Sequence, residues 1–203
     1  MLTILVGTPA QLNAGVEAEL AVYRHRVFVE QLGWQLPIAE QGLERDQFDG
    51  PETLYVVAKD ADGGVCGCAR LLSTEQAYLL NTVFPGLMDG QPLPKAPDVW
   101  ELSRYTTQVV GGDAGSREEQ KERFAALLKA VVEAALERGA KRLITFSYLG
   151  VERLARNFGI HVHRAGAPQM IDGRPVLAFW IELDEQTFKA LGINTAIAAH
   201  RTH

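Results

Sequence analysis

The sequence predicts a single α/β domain in which helices flank a mixed β-sheet. Three observations support this prediction. Strand-like segments alternate with helical ones along the chain. A chain of 203 residues can bury one sizeable core, and 47% hydrophobic with 22% charged residues is an ordinary globular composition. We expect residues 1–193 to form this domain and residues 194–203, which lack a core-forming pattern, to form a flexible tail.

The first half of the chain alternates apolar segments with polar loops. An apolar opening, Met1 to Thr8, predicts a strand, and apolar residues at helical spacing predict a helix from Gln11 to Leu32 that ends at Gly33. The polar stretch before residue 53 predicts a loop. The further predictions are a hairpin of residues 53–59 and 64–72, a proline-rich loop at 85–97 and a strand at 99–110.

The second half gives clearer signals. Ser116 and Glu119 form a capping box, apolar residues follow at helical spacing, and Gly139 ends that helix. After it we predict strands at 141–147, 161–164 and 175–183, and short helices at 150–158 and 184–191.

Charge and composition exclude several classes of protein. The net charge is −5, so a generic nucleic-acid binder is disfavoured. Two cysteines, Cys66 and Cys68, fit a reducing compartment, and no apolar run approaches the length of a membrane span. We therefore expect a soluble cytoplasmic protein. Residues 138–174 are rich in arginine, which predicts either a solvated basic face or a docking surface for an acidic partner.

Two charged motifs stand out. Glu44, Asp46 and Asp49 place three carboxylates within six residues, which predicts either a solvated acidic loop or a cation site. In the strand candidate near residue 100, Glu101 and Arg104 are costly to bury alone and need partners, either in a structural ion-pair network or in a functional site.

Other candidate motifs favour ordinary structural roles. Cys66 and Cys68 lack a second cysteine pair, so they are interpreted as small buried side chains rather than zinc ligands, and His161 and His163 are interpreted likewise. We expect no metal site. The loop from Gln108 to Gly112 precedes a helix, but Asp113 would repel a pyrophosphate, which argues against free coenzyme A as a donor.

Five short motifs occur in a set order between residues 24 and 104. They are Arg24-x3-Phe28-x5-Trp34, Glu44-x-Asp46-x2-Asp49, Gly67-Cys68-Ala69-Arg70-Leu71-Leu72, Val83-Phe84-Pro85 and Glu101-Leu102-Ser103-Arg104. In order and spacing they resemble the acyl-homoserine-lactone synthases, the autoinducer synthases of bacterial quorum sensing. The resemblance implies an acetyltransferase-like (GNAT-like) fold, and it fades after about residue 110.

The resemblance also implies a reaction. A fatty acyl group on acyl carrier protein would pass to the amine of S-adenosylmethionine, and lactonisation would release methylthioadenosine. S-adenosylmethionine would be a co-substrate, with no tightly bound cofactor, and the product would act on a separate transcriptional regulator. The implied catalytic residues are Glu101, Arg70 and Asp49, and the implied substrate-binding residues are Arg24, Phe28, Trp34, Asp46, Phe84, Ser103 and Arg104.

Within this scheme the arginines have two possible roles, holding the substrate carboxylate or locking the acidic loop. Candidate residues for an acyl-chain pocket are Leu143, Thr145, Phe146, Leu149 and Phe179, and candidates for docking the carrier protein are Arg142, Arg153 and Arg156. Two alternatives remain open at this point. They are a coenzyme A-dependent N-acetyltransferase acting on a small amine and a non-catalytic S-adenosylmethionine-binding sensor domain.

Overall fold

The structure, a computed structural model, describes residues 2–34, 42–112 and 114–194. Its helices are α1 (Ala14–Arg24), continued by a π-helical segment (His25–Gln31), then α2 (Leu79–Thr82), a 3₁₀ turn (Pro85–Met88), α3 (Arg117–Leu136), α4 (Leu149–Asn157) and α5 (Glu185–Leu191). The strands are β1 (Thr3–Gly7), β2 (Leu54–Lys59), β3 (Val65–Ser73), β4 (Val99–Thr106), β5 (Arg142–Tyr148), β6 (Val162–Arg164), β7 (Gln169–Ile171) and β8 (Arg174–Glu182).

The described strands form a mixed sheet in the order β1-β2-β3-β4-β5-β8-β6, with β7 paired to β8. Strands β1 and β2 pair antiparallel, and β4 and β5 pair parallel. Strands β5, β6 and β7 each pair antiparallel with β8. The predicted α/β class with a mixed sheet is therefore confirmed.

The described residues group into two compact units. The first comprises Met1–Arg70 and Arg104–Ala130. Its core packs the apolar face of α1 and of the π-helical segment against strands β2 and β3, with Leu20, Val27, Tyr55 and Cys68 among the buried side chains. Asn13 caps α1 by accepting the N–H of Val16 at 2.9 Å.

The second unit comprises Leu71–Ser103 and Val131–His203. In it, α4 contacts strands β5, β6 and β8. The register of β5 and β8 places Thr145 opposite Phe179 and Arg142 opposite Glu182. Because side chains alternate along each strand, this register determines which of the two faces of the sheet each residue of β5 and β8 occupies.

Several predicted bounds need correction. Helix α1 begins at Ala14 rather than Gln11, because the Asn13 cap fixes its start, and β4 ends at Thr106 rather than Val110. Helix α2, the 3₁₀ turn and β7 were not predicted, since each is too short to show a period. Residues 195–203 of the predicted tail lie outside the described residues, and the single-domain bounds of 1–193 stay a prediction.

Candidate active site: a buried ring of carboxylates and arginines

The acidic motif is buried, so the first of its two alternative interpretations, a solvated loop, is wrong. The side chains of Glu44, Asp46 and Asp49 are 0%, 12% and 8% exposed. Their counter-charges are three arginines from elsewhere in the first unit, Arg24 of α1, Arg70 of β3 and Arg104 of β4. Buried carboxylates require such partners because an isolated charge is very costly to remove from water.

Arg24 bridges two of the carboxylates. Its Nη1 and Nη2 donate to Asp49 Oδ1 and Oδ2 at 2.8 and 3.0 Å, a bidentate pair, and its Nε donates to Glu44 Oε2. Arg70 bridges the next two, since its Nη1 donates to Asp46 Oδ1 at 2.6 Å and to Asp49 Oδ1 at 3.0 Å.

Arg104 closes the arrangement. Its Nη2 donates to Glu44 Oε1 at 2.9 Å and to Asp46 Oδ2 at 2.7 Å. Each arginine therefore joins two carboxylates, and each carboxylate joins two arginines. We call these six side chains the carboxylate–arginine ring. The backbone of Arg104 is left-handed, with φ at 53°, and its carbonyl accepts the Cys68 Sγ–H at 3.2 Å.

The ring keeps its carboxylates ionised. Burial alone would raise the pKa of Asp49, but Arg24 and Arg70 hold that pKa well below its usual range. Glu44 behaves in the same way, because Arg24 and Arg104 outweigh its burial and lower its pKa. In turn, burial would lower the pKa of Arg24, but Asp49 and Glu44 keep it above its usual value.

Tyr55 adds a neutral donor that sequence reasoning missed. Its hydroxyl donates to Asp49 Oδ1 at 2.7 Å, and burial, followed by the Asp49 charge, raises the pKa of the phenol.

A cleft of about 50 Å³ lies beside the ring and is lined by Glu17, Leu20, Ala21, Arg24, Glu44, Arg45, Asp49 and Tyr55. This volume is well below that of pockets for drug-sized ligands, roughly 300–1,000 Å³.

Two predicted substrate-binding aromatics meet beside the ring. Phe28 and Trp34 stack with centroids 4.7 Å apart, and the Arg104 guanidinium lies about 5.5 Å from both rings. Trp34, which follows the π-helical segment, also donates its backbone N–H to the Phe28 carbonyl at 2.9 Å, so the two residues are joined through the backbone as well. The predicted residues Arg24, Phe28, Trp34, Asp46, Asp49, Arg70 and Arg104 are thus brought together.

Glu101 lies in the second unit and is fully buried. Its Oε1 and Oε2 accept the backbone N–H groups of Leu79 at 3.2 Å and Leu80 at 2.6 Å. These donors are backbone groups of the short helix α2, whereas the sequence suggested charged partners for Glu101. Ser103, also predicted to contact substrate, is buried on the same strand.

The candidate acyl-pocket residues do not share one face of the sheet. Leu143, Thr145 and Phe179 lie on one face, and the Thr145 hydroxyl donates to the Leu102 carbonyl at 2.7 Å. Phe146 lies on the opposite face, where its ring is 5.0 Å from that of Phe84. Leu149 is the first residue of α4. Placing these five residues in one pocket stays a prediction.

The three candidate docking arginines differ in their pairing. Arg142 pairs with Glu182 at 2.5 Å and stacks 4.1 Å above the Trp180 ring. Arg156 pairs with Glu152 at 2.5 Å, while Arg153 is exposed and has no side-chain hydrogen bond to any residue that the structure describes.

The remaining candidate groups have structural surroundings. Cys66 and Cys68 are buried free thiols, and burial raises the pKa of Cys68 to about 12. His161 and His163 pair with Asp184 and Glu182. Within the described ranges, no cluster of three or more His, Cys, Asp or Glu is placed to hold a metal. Asp113 lies outside the described residues.

Comparison with known proteins identifies the family. The autoinducer synthase family model matches residues 11–191. An acyl-homoserine-lactone synthase of Ralstonia nicotianae is 50% identical over 185 residues, covering 90% of each chain. The crystal structure of TofI in a ternary complex with an inhibitor and MTA is 45% identical, with a TM-score of 0.84 over 96% of this chain and 99% of that one.

A more distant structure shows variety in the acyl donor. BjaI, a CoA-dependent acyl-homoserine lactone synthase solved with SAM and isopentyl-CoA, is 25% identical, with a TM-score of 0.80 over 94% of this chain and 87% of that one. These matches confirm the fold that the resemblance implied. None of the helices that the structure describes is long and apolar enough to span a membrane. The chain belongs to the autoinducer synthase family and is an acyltransferase of the acyl-homoserine-lactone synthase type.

Proposed function

We propose that this enzyme transfers a fatty acyl group from acyl carrier protein to the amine of S-adenosylmethionine and then closes the acyl-homoserine lactone, releasing methylthioadenosine. The observation that carries the proposal is the carboxylate–arginine ring with the Phe28–Trp34 stack beside it. It sets fixed charges of both signs next to an aromatic surface, which suits a ligand that carries both charges and an adenine ring.

Binding of S-adenosylmethionine follows from the chemistry of the ring. Three carboxylates balance three guanidinium groups, so the ring as a whole has no net charge. The attraction of the sulfonium to the ring would therefore come from the carboxylates nearest to it. Asp46, the most exposed of the carboxylates, and Asp49 face the sulfonium in this proposal. The half-buried Trp34 packs on the adenosyl group together with Phe28.

In the acylation step, Glu101 acts as the base. A free α-amino group has a pKa of roughly 7.7–8.0, so the amine must lose a proton before it attacks, and Glu101 accepts that proton directly or through water. The amine nitrogen then bonds to the thioester carbonyl carbon. The C–S bond breaks, and the carrier thiol leaves with a proton.

Lactonisation needs no further reactant. A carboxylate oxygen of the acylated intermediate bonds to its own γ-carbon. The bond from that carbon to sulfur breaks, and its electron pair returns to the sulfonium, which leaves as neutral methylthioadenosine. Arg70 and the other ring arginines hold the acidic loop in place throughout, as their ion pairs indicate.

Acyl carrier protein is the proposed donor because the exposed arginines suit an acidic protein. Arg153 is open to solvent, and Arg142 and Arg156 remain partly exposed beside their carboxylate partners. The acyl chain is proposed to lie along Leu143, Thr145 and Phe179, which share one face of the sheet.

Methylthioadenosine release tests the donor and the reaction together. We expect turnover with octanoyl-acyl carrier protein at a kcat/KM far above that with octanoyl-coenzyme A. Preference for octanoyl-coenzyme A would overturn the carrier protein as donor. Acyl transfer to other amines without lactone would favour an N-acetyltransferase, and binding of S-adenosylmethionine without turnover would favour a sensor domain.

Substitution of Glu101 tests its role as the base. Glu101→Gln keeps the size of the side chain but removes the proton acceptor, so kcat should fall by about 10²–10⁴-fold. The matched control is Glu133→Gln, the same change at an exposed position of α3, which should keep the wild-type rate. Equal rates in the two variants would contradict the proposed role of Glu101.

A further inference from the structure

The backbone that holds Glu101 belongs to a very short helix. Leu79 and Leu80, whose N–H groups donate to the Glu101 carboxylate, are the first two residues of α2, which has four residues. Forming a single helical turn restricts the backbone of several residues in return for very few hydrogen bonds, so its free energy of formation is unfavourable. A helix of this length therefore does not persist unless side chains hold it. The position of the Glu101 carboxylate therefore depends on whatever fixes this turn.

Asn81 fixes the turn from within. Its Oδ1 accepts the backbone N–H of Tyr78 at 3.0 Å, so that its side chain spans back to the residue that precedes the helix. The Thr82 hydroxyl donates to the same oxygen at 2.8 Å, and the Tyr78 hydroxyl donates to the Pro94 carbonyl at 2.7 Å. Asn81 thus joins Tyr78 to α2, and the Tyr78 hydroxyl in turn joins this segment to Pro94.

We propose that Asn81 is a positioning residue for the acylation step: by closing the α2 turn, its side chain aims the Leu79 and Leu80 N–H groups at Glu101. The inference rests on the proposed role of Glu101 as the base. Without the Asn81 bond, the turn relaxes and the carboxylate loses the alignment that proton transfer to it requires. Misplacement of a catalytic group by about 1 Å can cost up to about 10²-fold in rate.

Kinetics of Asn81 variants test the proposal. Loss of one hydrogen bond of this kind predicts a fall in kcat of about 3- to 10-fold for Asn81→Ala. The KM for S-adenosylmethionine should stay unchanged, because Asn81 acts on the transition state only. Asn81→Asp keeps an oxygen acceptor for the Tyr78 N–H and should restore most of the rate. Asn81→Ser, whose side chain is too short to reach that N–H, repeats the test if the alanine variant folds poorly.

Asn13→Ala is the matched control. Asn13 caps α1 through an equivalent bond to the Val16 N–H at 2.9 Å, in the unit that does not contain Glu101. Both alanine variants should lose a similar amount of thermal stability, and only Asn81→Ala should lose kcat. Equal kcat values in the two, or no recovery in Asn81→Asp, would overturn the role of Asn81.

Glu101→Gln separates this inference from the proposed function. A collapse of kcat in Glu101→Gln with a wild-type kcat in Asn81→Ala would refute the positioning role and leave Glu101 as the base. A wild-type kcat in Glu101→Gln would refute the base itself, and the inference about Asn81 would fall with it.

Discussion

The protein uses the same residue types in two kinds of ionic region. In the carboxylate–arginine ring, no side chain is more than 12% exposed and every member has two partners of opposite charge. In the pairs Arg142–Glu182 and Arg156–Glu152, the arginines are 37% and 56% exposed. The two regions differ in burial and in closure: the ring is buried and closed on itself, whereas solvent still reaches the arginines of the two pairs.

The largest expected effect comes from opening the ring. Glu44→Gln leaves Arg24 and Arg104 each with one carboxylate in a buried site, which should lower the free energy of unfolding by about 3–5 kcal/mol. Urea denaturation at neutral pH measures it. Glu118→Gln, which breaks an exposed pair with Lys121, is the control and should change little. A loss in Glu44→Gln no larger than in the control would show that the ring does not stabilise the fold.

Acid should weaken the ring next. Asp49 and Glu44 have lowered pKa values when folded, whereas in the unfolded chain they titrate near 3.9 and 4.3. Their contribution is therefore complete above about pH 5 and is lost as the pH falls through and below the unfolded values, by up to about 1.4 kcal/mol per pH unit for each group. Urea midpoints between pH 6 and 3 should show a shallower fall in Glu44→Gln than in the wild type, and parallel curves would refute the linkage.

Charge reversal of the exposed arginines should affect binding more than stability. Arg153→Glu and Arg156→Glu should raise the KM for acyl carrier protein by about 10-fold at low salt, with the difference shrinking as salt is added. The free energy of unfolding should change by no more than about 1 kcal/mol in Arg153→Glu, an exposed position. Arg156→Glu places a second negative charge beside the buried Glu152 and should cost more stability than Arg153→Glu. Arg117→Glu, at an exposed position that starts α3, is the control. An unchanged KM in the first two variants would remove this surface as the docking site.

The smallest effect is expected at Arg142. Arg142→Lys keeps the charge opposite Glu182 but loses the planar stack on Trp180, at a cost of about 0.5–1 kcal/mol. Thermal unfolding measures it. A loss as large as that of Glu44→Gln would mean that exposure does not separate the two regions.

Local signals in the sequence predicted local structure. The capping box is present, since the Ser116 N–H donates to Glu119 and the Glu119 N–H to the Ser116 hydroxyl, and Gly139 ends the helix with a positive φ. These signals work because both partners lie within one turn of each other. By contrast, Arg104 lies 60 positions from Glu44, so sequence spacing left open whether the arginines hold substrate or lock the acidic loop. The structure shows each of the three arginines paired with carboxylates of that loop.

Other features depend on register and on very short elements. The face that Thr145 and Phe179 share follows from the pairing of β5 with β8, which no single strand encodes. Helix α2 has too few residues to show a period, so the donors to Glu101 were not predicted. The π-helical segment resembles an ordinary helix in apolar spacing, although its hydrogen bonds differ.

The left-handed backbone of Arg104 makes the residue type that is favoured at position 104 depend on the residue at position 44. A non-glycine residue in this conformation costs roughly 1–2 kcal/mol, and here the Arg104 side chain offsets that cost through Glu44 and Asp46. In a homologue without the acidic partners, arginine would keep the backbone penalty and lose its compensation, so glycine would be the favoured replacement. Positions 44 and 104 should therefore change together during evolution, although one lies in a loop and the other in a strand.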